Sequence, residues 1–248
     1  REPGELVELG CGSGDKIALL VQALEARSAA LSVHLIDVSD KAHALSQRAL
    51  ARFSRVRVTS HVGTYEAGLA ALPGAARGRR LVLFLGSNIG NFDPDEARLL
   101  LLAIRRALRP GDGLLLGADL VRDEASLVLA YDDPLGVTAA FDKNLLQRMN
   151  AELGADFDLA AFAHQARWNA RASRMEMHLV SRRQQRVRVP GAAIEVAFAE
   201  GESIWTESSY KYTEEGIAAM GRAADLTCAQ QWIERGSGFS TTLFVAEG

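Results

Sequence analysis

Residues 8–14, Glu-Leu-Gly-Cys-Gly-Ser-Gly, set an acid and three alternating glycines between a short apolar run and an amphipathic stretch. Glycines so spaced let the backbone turn sharply and let a ligand lie against bare main chain. Loops that bind a dinucleotide carry G-x-G-x-x-G, whose last glycine falls one position later and leaves room for a pyrophosphate at a helix N-terminus. Here that position is Asp15. A carboxylate at the helix start repels a pyrophosphate but not a sulfonium cofactor without phosphates. Asp37, closing the next strand, suits the two hydroxyls of a ribose. The pattern points to S-adenosylmethionine (SAM). A nicotinamide dinucleotide and a turn that binds nothing are the alternative readings.

Such a loop needs a sheet to hold it. Residues 5–9 read as a short buried strand, 15 to about 27 as an amphipathic helix, and 31–36 as a second strand closed by Asp37. Ser39 is the natural N-cap of a helix reaching about residue 53. Residues 56–60 make a weaker third strand, and the apolar run 81–85 a strand covered on both faces. Asp93 as N-cap and Pro94 at the first helical position open a helix ending near Pro110, and 113–117 is a fifth strand. Strand–helix alternation with short connections predicts a doubly wound parallel α/β sheet. The alternation breaks after Val121. Residues 123–170 read as mainly helical, and 173–181 and 193–199 as antiparallel strands joined across Pro190-Gly191. Helical spacing returns at 213–224, followed by strands at 227–233 and 240–246. The expected organisation is a Rossmann-like sheet domain, residues 1–121 and 212–248, carrying an inserted α+β lobe, residues 122–211.

Composition narrows the partners. The 248-residue chain has a net charge of −3, a pI near 6.0 and 48% hydrophobic residues. That is enough to fill a core, and it lacks the basic surface that nucleic acid requires. Short basic clusters at 77–80 (RGRR) and 181–183 (SRR) read as solvated faces. The two cysteines, Cys11 and Cys228, are far apart and suggest a reducing compartment and no disulfide framework. No apolar run approaches the roughly 18 residues of a membrane span, and no signal peptide opens the chain. No His, Cys and Asp spacing suggests a metal site. The expectation is a cytoplasmic, monomeric enzyme acting on a small molecule, without membrane or nucleic-acid partners.

Beyond the loop, the chain resembles the histidine Nα-methyltransferases of ergothioneine biosynthesis along nearly its whole length. The matching stretches are 86–91 (GSNIGN), 131–141 (YDDPLGVTAAF), 144–146 (NLL), 150–157 (NAELGADF), 175–178 (MEMH) and 201–209 (GESIWTESS). Several lie in the inserted segment, which most methyltransferases do not share, so they are more specific than the glycine loop. The resemblance implies a class I methyltransferase fold, SAM as cofactor, and histidine as an amino-acid substrate methylated three times on its α-amino nitrogen. By motif, Asn91 and Tyr131 would hold the substrate's α-carboxylate and α-amine. Glu207 and Ser209 would bind the imidazole nitrogens, with Met177 beside the ring. Gly86 would line the passage between cofactor and amine. The cofactor set is Glu8, Gly10, Gly12, Gly14, Lys16, Asp37, Thr64, Tyr65 and Gly86. Where the family often has an acidic–aromatic pair after the third strand, this chain has Thr64-Tyr65. Tyr65 can stack on adenine, whereas Thr64 is a weaker partner for its amino group. The family also places a substrate-lobe segment, with a tyrosine, before the first strand, and this chain starts at Arg1. The expectation is a sound fold, a pocket open on one side and poor turnover.

Each assignment has a plainer reading. Asn91 is placed to cap the helix that follows. Tyr131 suits a half-buried core, Met177 alone is ordinary core filling, and Glu207 suits a solvated strand face. His164 and His178 read as structural. At the level of function, a methyltransferase for another small amine such as tryptophan stays open, as does a non-catalytic cofactor-binding module. An indole would offer Glu207 only one N–H, which argues against the former.

Overall fold

The computed structural model describes residues 3–25, 30–74 and 78–248. Contacts divide the chain into two units, Arg1–Leu120 with Tyr212–Gly248, and Val121–Lys211. In chain order the first unit begins with β1 (Pro3–Leu9), α1 (Asp15–Glu25), β2 (Leu31–Asp37), α2 (Asp40–Leu50), β3 (Val56–Val62), α3 (Tyr65–Ala70), β4 (Arg79–Phe84), α4 (Pro94–Arg106) and β5 (Gly113–Asp119). The second unit holds α5 (Glu124–Tyr131), α6 (Val137–Leu153), β6 (Phe162–Asn169), β7 (Arg174–Ser181), β8 (Gln185–Val189), β9 (Ile194–Phe198) and β10 (Ser203–Tyr210). The chain then returns to the first unit with α7 (Glu214–Arg222), β11 (Leu226–Glu234) and β12 (Phe239–Ala246).

The first unit is a seven-stranded sheet in the order β11-β12-β5-β4-β1-β2-β3. β1 to β5 run parallel, and β12 and β11 close one edge antiparallel. Alternate residues of single strands feed two cores. Val7, Leu9, Val82 and Phe84 belong to one, Leu6, Leu35 and Leu83 to the other. Burial on both faces explains why these strands read as unbroken apolar runs. The helices start where local chemistry says they should. Ser39 Oγ accepts from Ala42 N at 3.3 Å, and Asp93 forms a capping box with Glu96, with Pro94 in the first turn.

Several expectations need correction. α2 ends at Leu50 in a turn, Phe53 N donating to Leu50 O at 3.1 Å, and α4 ends at Arg106. The reading of α1 to residue 27 ends outside the described residues. The 77–80 cluster is a solvated face only in part: Arg77 lies outside the described residues and Arg79 is exposed, but Arg80 is 6% exposed. Its guanidinium donates to Glu5 at 2.8 and 3.3 Å, and to the carbonyls of Ala107 and Pro73 at 2.7 Å each. Glu5 also meets His34 Nε2 at 3.0 Å, so one buried carboxylate ties together β1, β2 and β4. A charge this deep is tolerated because it is paired and fully hydrogen-bonded.

In the second unit, residues 123–170 are not mainly helical. α6 stops at Gly154, in the left-handed conformation at φ 64°, and residues 162–169 form β6, paired antiparallel with β7. β10 takes the other side of β7, giving the order β10-β7-β6. The turn at Pro190-Gly191 joins β8 to β9 in a separate hairpin; it does not join the strand at 174–181 to that at 194–198. Phe157, Phe162 and Phe198 pack edge-on and tilted, with ring centroids 5.4–6.5 Å apart, at the centre of this unit's core.

Candidate active site

β1 lies between β4 and β2, where the strand order reverses direction. Open α/β sheets bind ligands beyond the carboxyl ends of the strands at that switch point. The loop after β1 carries the glycines, all with positive φ: Gly10 at 76°, Gly12 at 51° and Gly14 at 80°. Their reasons differ. A Cβ on Gly10 would lie 2.9 Å from the Tyr65 hydroxyl and 3.0 Å from Asn88 Nδ2; on Gly14, 2.6 Å from Ser46 Cα. Gly12 has nothing within 4 Å, so it presents bare backbone to open space. Gly10 and Gly14 are glycines for packing, Gly12 for access.

Acceptors surround this cradle. Asp37 Oδ1 is held by Ser39 N at 2.9 Å, which fixes the carboxylate, while Oδ2 lies 3.9 Å from Cys11 Sγ. Glu8 is 3% exposed, and its Oε2 has no hydrogen-bond partner among the described residues. Burial pushes the Glu8 carboxyl up to about 8; the Lys16 ammonium opposes the shift and Asp37 adds to it. Lys16 Nζ lies 2.9 Å from where a Gly86 Cβ would be. Glu8, Lys16, Asp37 and Gly86 therefore cluster around the loop. The Tyr65 ring packs against Phe84 at 5.5 Å and Phe92 at 6.3 Å. Thr64 acts locally, its hydroxyl capping α3 by accepting from Ala67 N at 3.3 Å.

After β4 the chain turns through Gly86 and Ser87, the latter left-handed at φ 61°, into a short 3-10 turn at Asn88–Asn91. Ser87 Oγ accepts from Asp119 N at 2.9 Å, and the Tyr212 hydroxyl donates to Ile89 O at 3.1 Å, which pins the turn. Asn91 is exposed at its end, and the helix that follows is capped by Asp93, so capping does not occupy Asn91.

The second unit gathers the other expected residues on one face of its three-stranded sheet. Glu207 stands opposite Met177, and Ser209 opposite Met175. Directly opposed residues share a face. A bulge between Trp205 and Glu207 puts Glu207 on this face. The Tyr131 hydroxyl, at the end of α5, donates to Ser209 Oγ at 2.8 Å. Lys211, just past β10 and 3% exposed, donates to both: 2.7 Å to the Tyr131 hydroxyl and 2.8 Å to Ser209 Oγ. His164 stands between Asp142 Oδ2 (2.8 Å) and the Tyr131 carbonyl (2.7 Å), fixing the end of α5, as its structural reading requires. Glu207 is half-buried, and no hydrogen bond or ion pair from the described residues reaches its carboxylate. Burial raises its pKa, Asp142 adds to the shift and Lys211 opposes it. Glu207 is thus partly withdrawn from solvent, and the Tyr131 hydroxyl is hydrogen-bonded at this face. Met177 is 3% exposed.

Lys211, Asp142 and Asn88 were missed by sequence reasoning. A strand's period of two would have found Lys211, since Glu207, Ser209 and Lys211 alternate. No sequence pattern signals the other two. Among the described residues no group of three His, Cys, Asp or Glu side chains is arranged to hold a metal, and no helix is long and apolar enough to cross a membrane.

A family model described as histidine-specific methyltransferase, SAM-dependent, matches residues 1–246. The chain belongs to this family. It is 42% identical over 239 residues to the histidine N-alpha-methyltransferase of Mycobacterium tuberculosis (strain CDC 1551 / Oshkosh), covering 96% of this chain and 74% of that protein. It is 26% identical over 226 residues to ergothioneine biosynthesis protein 1 of Neurospora crassa, covering 85% of this chain and 26% of that protein. In fold it is similar to a Burkholderia thailandensis 1,6-didemethyltoxoflavin-N1-methyltransferase solved with S-adenosylhomocysteine. That match has a TM-score of 0.52 at 13% identity and covers 100% of this chain and 72% of the other. The protein is a SAM-dependent methyltransferase with the class I fold. The cradle suits that cofactor: SAM brings ribose hydroxyls, an ammonium and a sulfonium, and no phosphate. It would meet open glycine backbone, the fixed Asp37 carboxylate and the unpaired oxygen of Glu8.

Proposed function

We propose that this chain transfers methyl groups from SAM to the α-amino nitrogen of histidine, giving the trimethylated amino acid used in ergothioneine biosynthesis. The observation that carries the reading is the half-buried Glu207 carboxylate, without a partner among the described residues, beside the hydroxyl of Ser209 on one sheet face. A buried acceptor without a partner costs stability unless a ligand supplies a donor, and an imidazole N–H is such a donor. In this reading Ser209 takes the second ring nitrogen and Met177 packs on the ring. Tyr131 and Asn91 hold the α-carboxylate and α-amine, and Gly86 leaves the path of the methyl group clear. On the cofactor side, Asp37 takes the ribose and Glu8 the cationic end, with Gly10, Gly12, Gly14, Lys16, Thr64 and Tyr65 around them. The second unit is then the substrate-binding lobe.

Bound SAM supplies a methyl group on a positively charged sulfur. The protein's residues orient the amine in line with that bond and exclude water, which is where most of the rate comes from in such a displacement. The amine must lose its proton first, because an ammonium has no lone pair. A carbonyl-like or hydroxyl acceptor holds it without competing for the methyl group. The two free cysteines, Cys11 and Cys228, accord with a cytoplasmic location.

Calorimetry and turnover test the reading together. S-adenosylhomocysteine and histidine should both bind, and histidine should be methylated in preference to tryptophan and phenylalanine. Binding of S-adenosylhomocysteine with no binding of any amino acid would refute the enzyme reading. Methylation of tryptophan ahead of histidine would refute the substrate.

A further inference from the structure

Hydrogen-bond direction in the Tyr131–Ser209–Lys211 cluster says more than the identity of its members. A hydroxyl has one donor and two lone pairs. Ser209 Oγ accepts from the Tyr131 hydroxyl at 2.8 Å and from Lys211 Nζ at 2.8 Å, which uses both lone pairs. Its own hydrogen donates to none of the described residues. The Tyr131 oxygen in turn accepts from Lys211 at 2.7 Å while giving its hydrogen to Ser209. An ammonium can only donate, so Lys211 occupies one lone pair on each hydroxyl oxygen, and the hydrogen that Tyr131 gives to Ser209 fills the second on Ser209. Glu207, two residues before Ser209 on the same face, brings an acceptor without a partner among the described residues.

We propose that Lys211 is a positioning residue that, together with the Tyr131 hydroxyl, makes Ser209 an obligate donor, so that the site takes a ring offering one N–H to Glu207 and one bare nitrogen to Ser209: a neutral imidazole in a single tautomer. This rests on the histidine reading and deepens it. An imidazolium presents two N–H groups, and its second would meet the hydrogen of Ser209. An indole has one N–H and no ring nitrogen lone pair, so Ser209 would lose its acceptor. A phenyl ring satisfies neither group. Without Lys211, a Ser209 lone pair is released, the hydroxyl can rotate to accept, and the distinction between imidazole and imidazolium weakens.

The test uses ring-15N histidine bound to the protein with S-adenosylhomocysteine, at a pH about one unit below the ordinary histidine pKa of about 6.5, where the free ring is largely charged. The wild-type complex should show one protonated and one pyridine-like nitrogen. In Lys211→Met the bound ring should move toward the imidazolium pattern and histidine affinity should fall about tenfold or more, with S-adenosylhomocysteine affinity unchanged. Lys211→Arg, which keeps the donors, should retain the neutral pattern. Two protonated nitrogens in the wild-type complex overturn the proposal, whether or not the variants fold. So does a Lys211→Met protein that binds histidine with wild-type affinity and the neutral pattern. A wild-type protein that binds S-adenosylhomocysteine but no histidine refutes the substrate reading instead.

Discussion

Replacing Glu207 by Gln should separate a ligand-binding carboxylate from a structural one, because it moves stability and affinity in opposite directions. In the free protein the Glu207 carboxyl is half-buried, without a partner among the described residues, and its pKa is raised by burial first and Asp142 second, against the pull of Lys211. A group whose native pKa lies above its unfolded value favours folding below the unfolded pKa. That advantage is lost as the pH rises through the native pKa. Wild type should therefore lose stability relative to Glu207→Gln as the pH rises from the ordinary carboxylate range of about 4.3 toward neutrality, and the variant should melt higher at pH 7.5 than the wild type does. Histidine binding should do the reverse. A ring N–H on a carboxylate is a charge-assisted bond worth about 1.5–3 kcal/mol, against about 0.5–1.5 kcal/mol on a neutral amide oxygen. The difference of about 1–1.5 kcal/mol weakens binding by roughly 5–13-fold. Glu207→Ala removes the bond altogether, and the loss grows to roughly 10–150-fold. Tolerance of tryptophan should then rise, more so when Met177, directly opposite in the sheet, is also shortened. Thermal unfolding of the ligand-free protein at acid and neutral pH, with calorimetry for histidine and tryptophan, provides the comparison. A variant less stable than wild type at pH 7.5 would refute the buried, unpaired carboxylate. An unchanged histidine-to-tryptophan preference would remove Glu207 from the pocket.

The glycine loop divides by the same logic. Gly14→Ala, at φ 80° with Ser46 Cα 2.6 Å from the new methyl, should lose about 2–4 kcal/mol of stability by denaturant titration. Gly12→Ala, at φ 51° with nothing within 4 Å, should lose only about 1 kcal/mol yet bind S-adenosylhomocysteine at least tenfold more weakly. Wild-type cofactor affinity in that variant would mean the open backbone is not the cradle. Glu8, held to a pKa of about 8, should release a proton when a cationic ligand reaches it, so the SAM binding enthalpy at pH 7 should depend on the ionisation heat of the buffer, and this dependence should vanish in Glu8→Gln. Its contribution to stability is complete below about pH 4.5 and lost by about pH 8, so Glu8→Gln should also flatten stability across that range. Arg80→Met strands the buried Glu5 carboxylate without its main partner and should cost about 3–5 kcal/mol; a loss under about 1 kcal/mol would show that His34 alone suffices.

What could be read from the sequence follows from which forces are local. The parallel strands announce themselves because burial on both faces removes polar residues, and Ser39, Asp93 and Pro94 mark helix starts through contacts within a few residues. The glycine loop is legible for the same reason. Arg80 is not: its partner Glu5 lies 75 positions away, and a chain read locally shows only one more charge in a basic run. Thr64 looks the same in sequence whether it caps α3 or faces a ligand. β6 escapes because α6 ends at Gly154 and the residues after it pair with a strand that has not yet been read. The face that carries Glu207 and Ser209 is the subtlest case. Strand side chains alternate, so a slip of one residue would send every member of a set to the opposite side. β10 carries such a slip by design: Trp205 pairs with His178, yet Glu207 pairs with Met177, one residue being bulged out between them. Unbulged pairing would set Glu207 against Glu176 on the other face, among Arg174, Asn169 and His178, where a second carboxylate would only add to the negative charge. The bulge sends Glu207, Ser209 and Lys211 to the Met177 side together. In the proposed reading, selectivity for the substrate ring would depend on one extra backbone residue at Thr206 as much as on the three side chains assigned to bind or orient it.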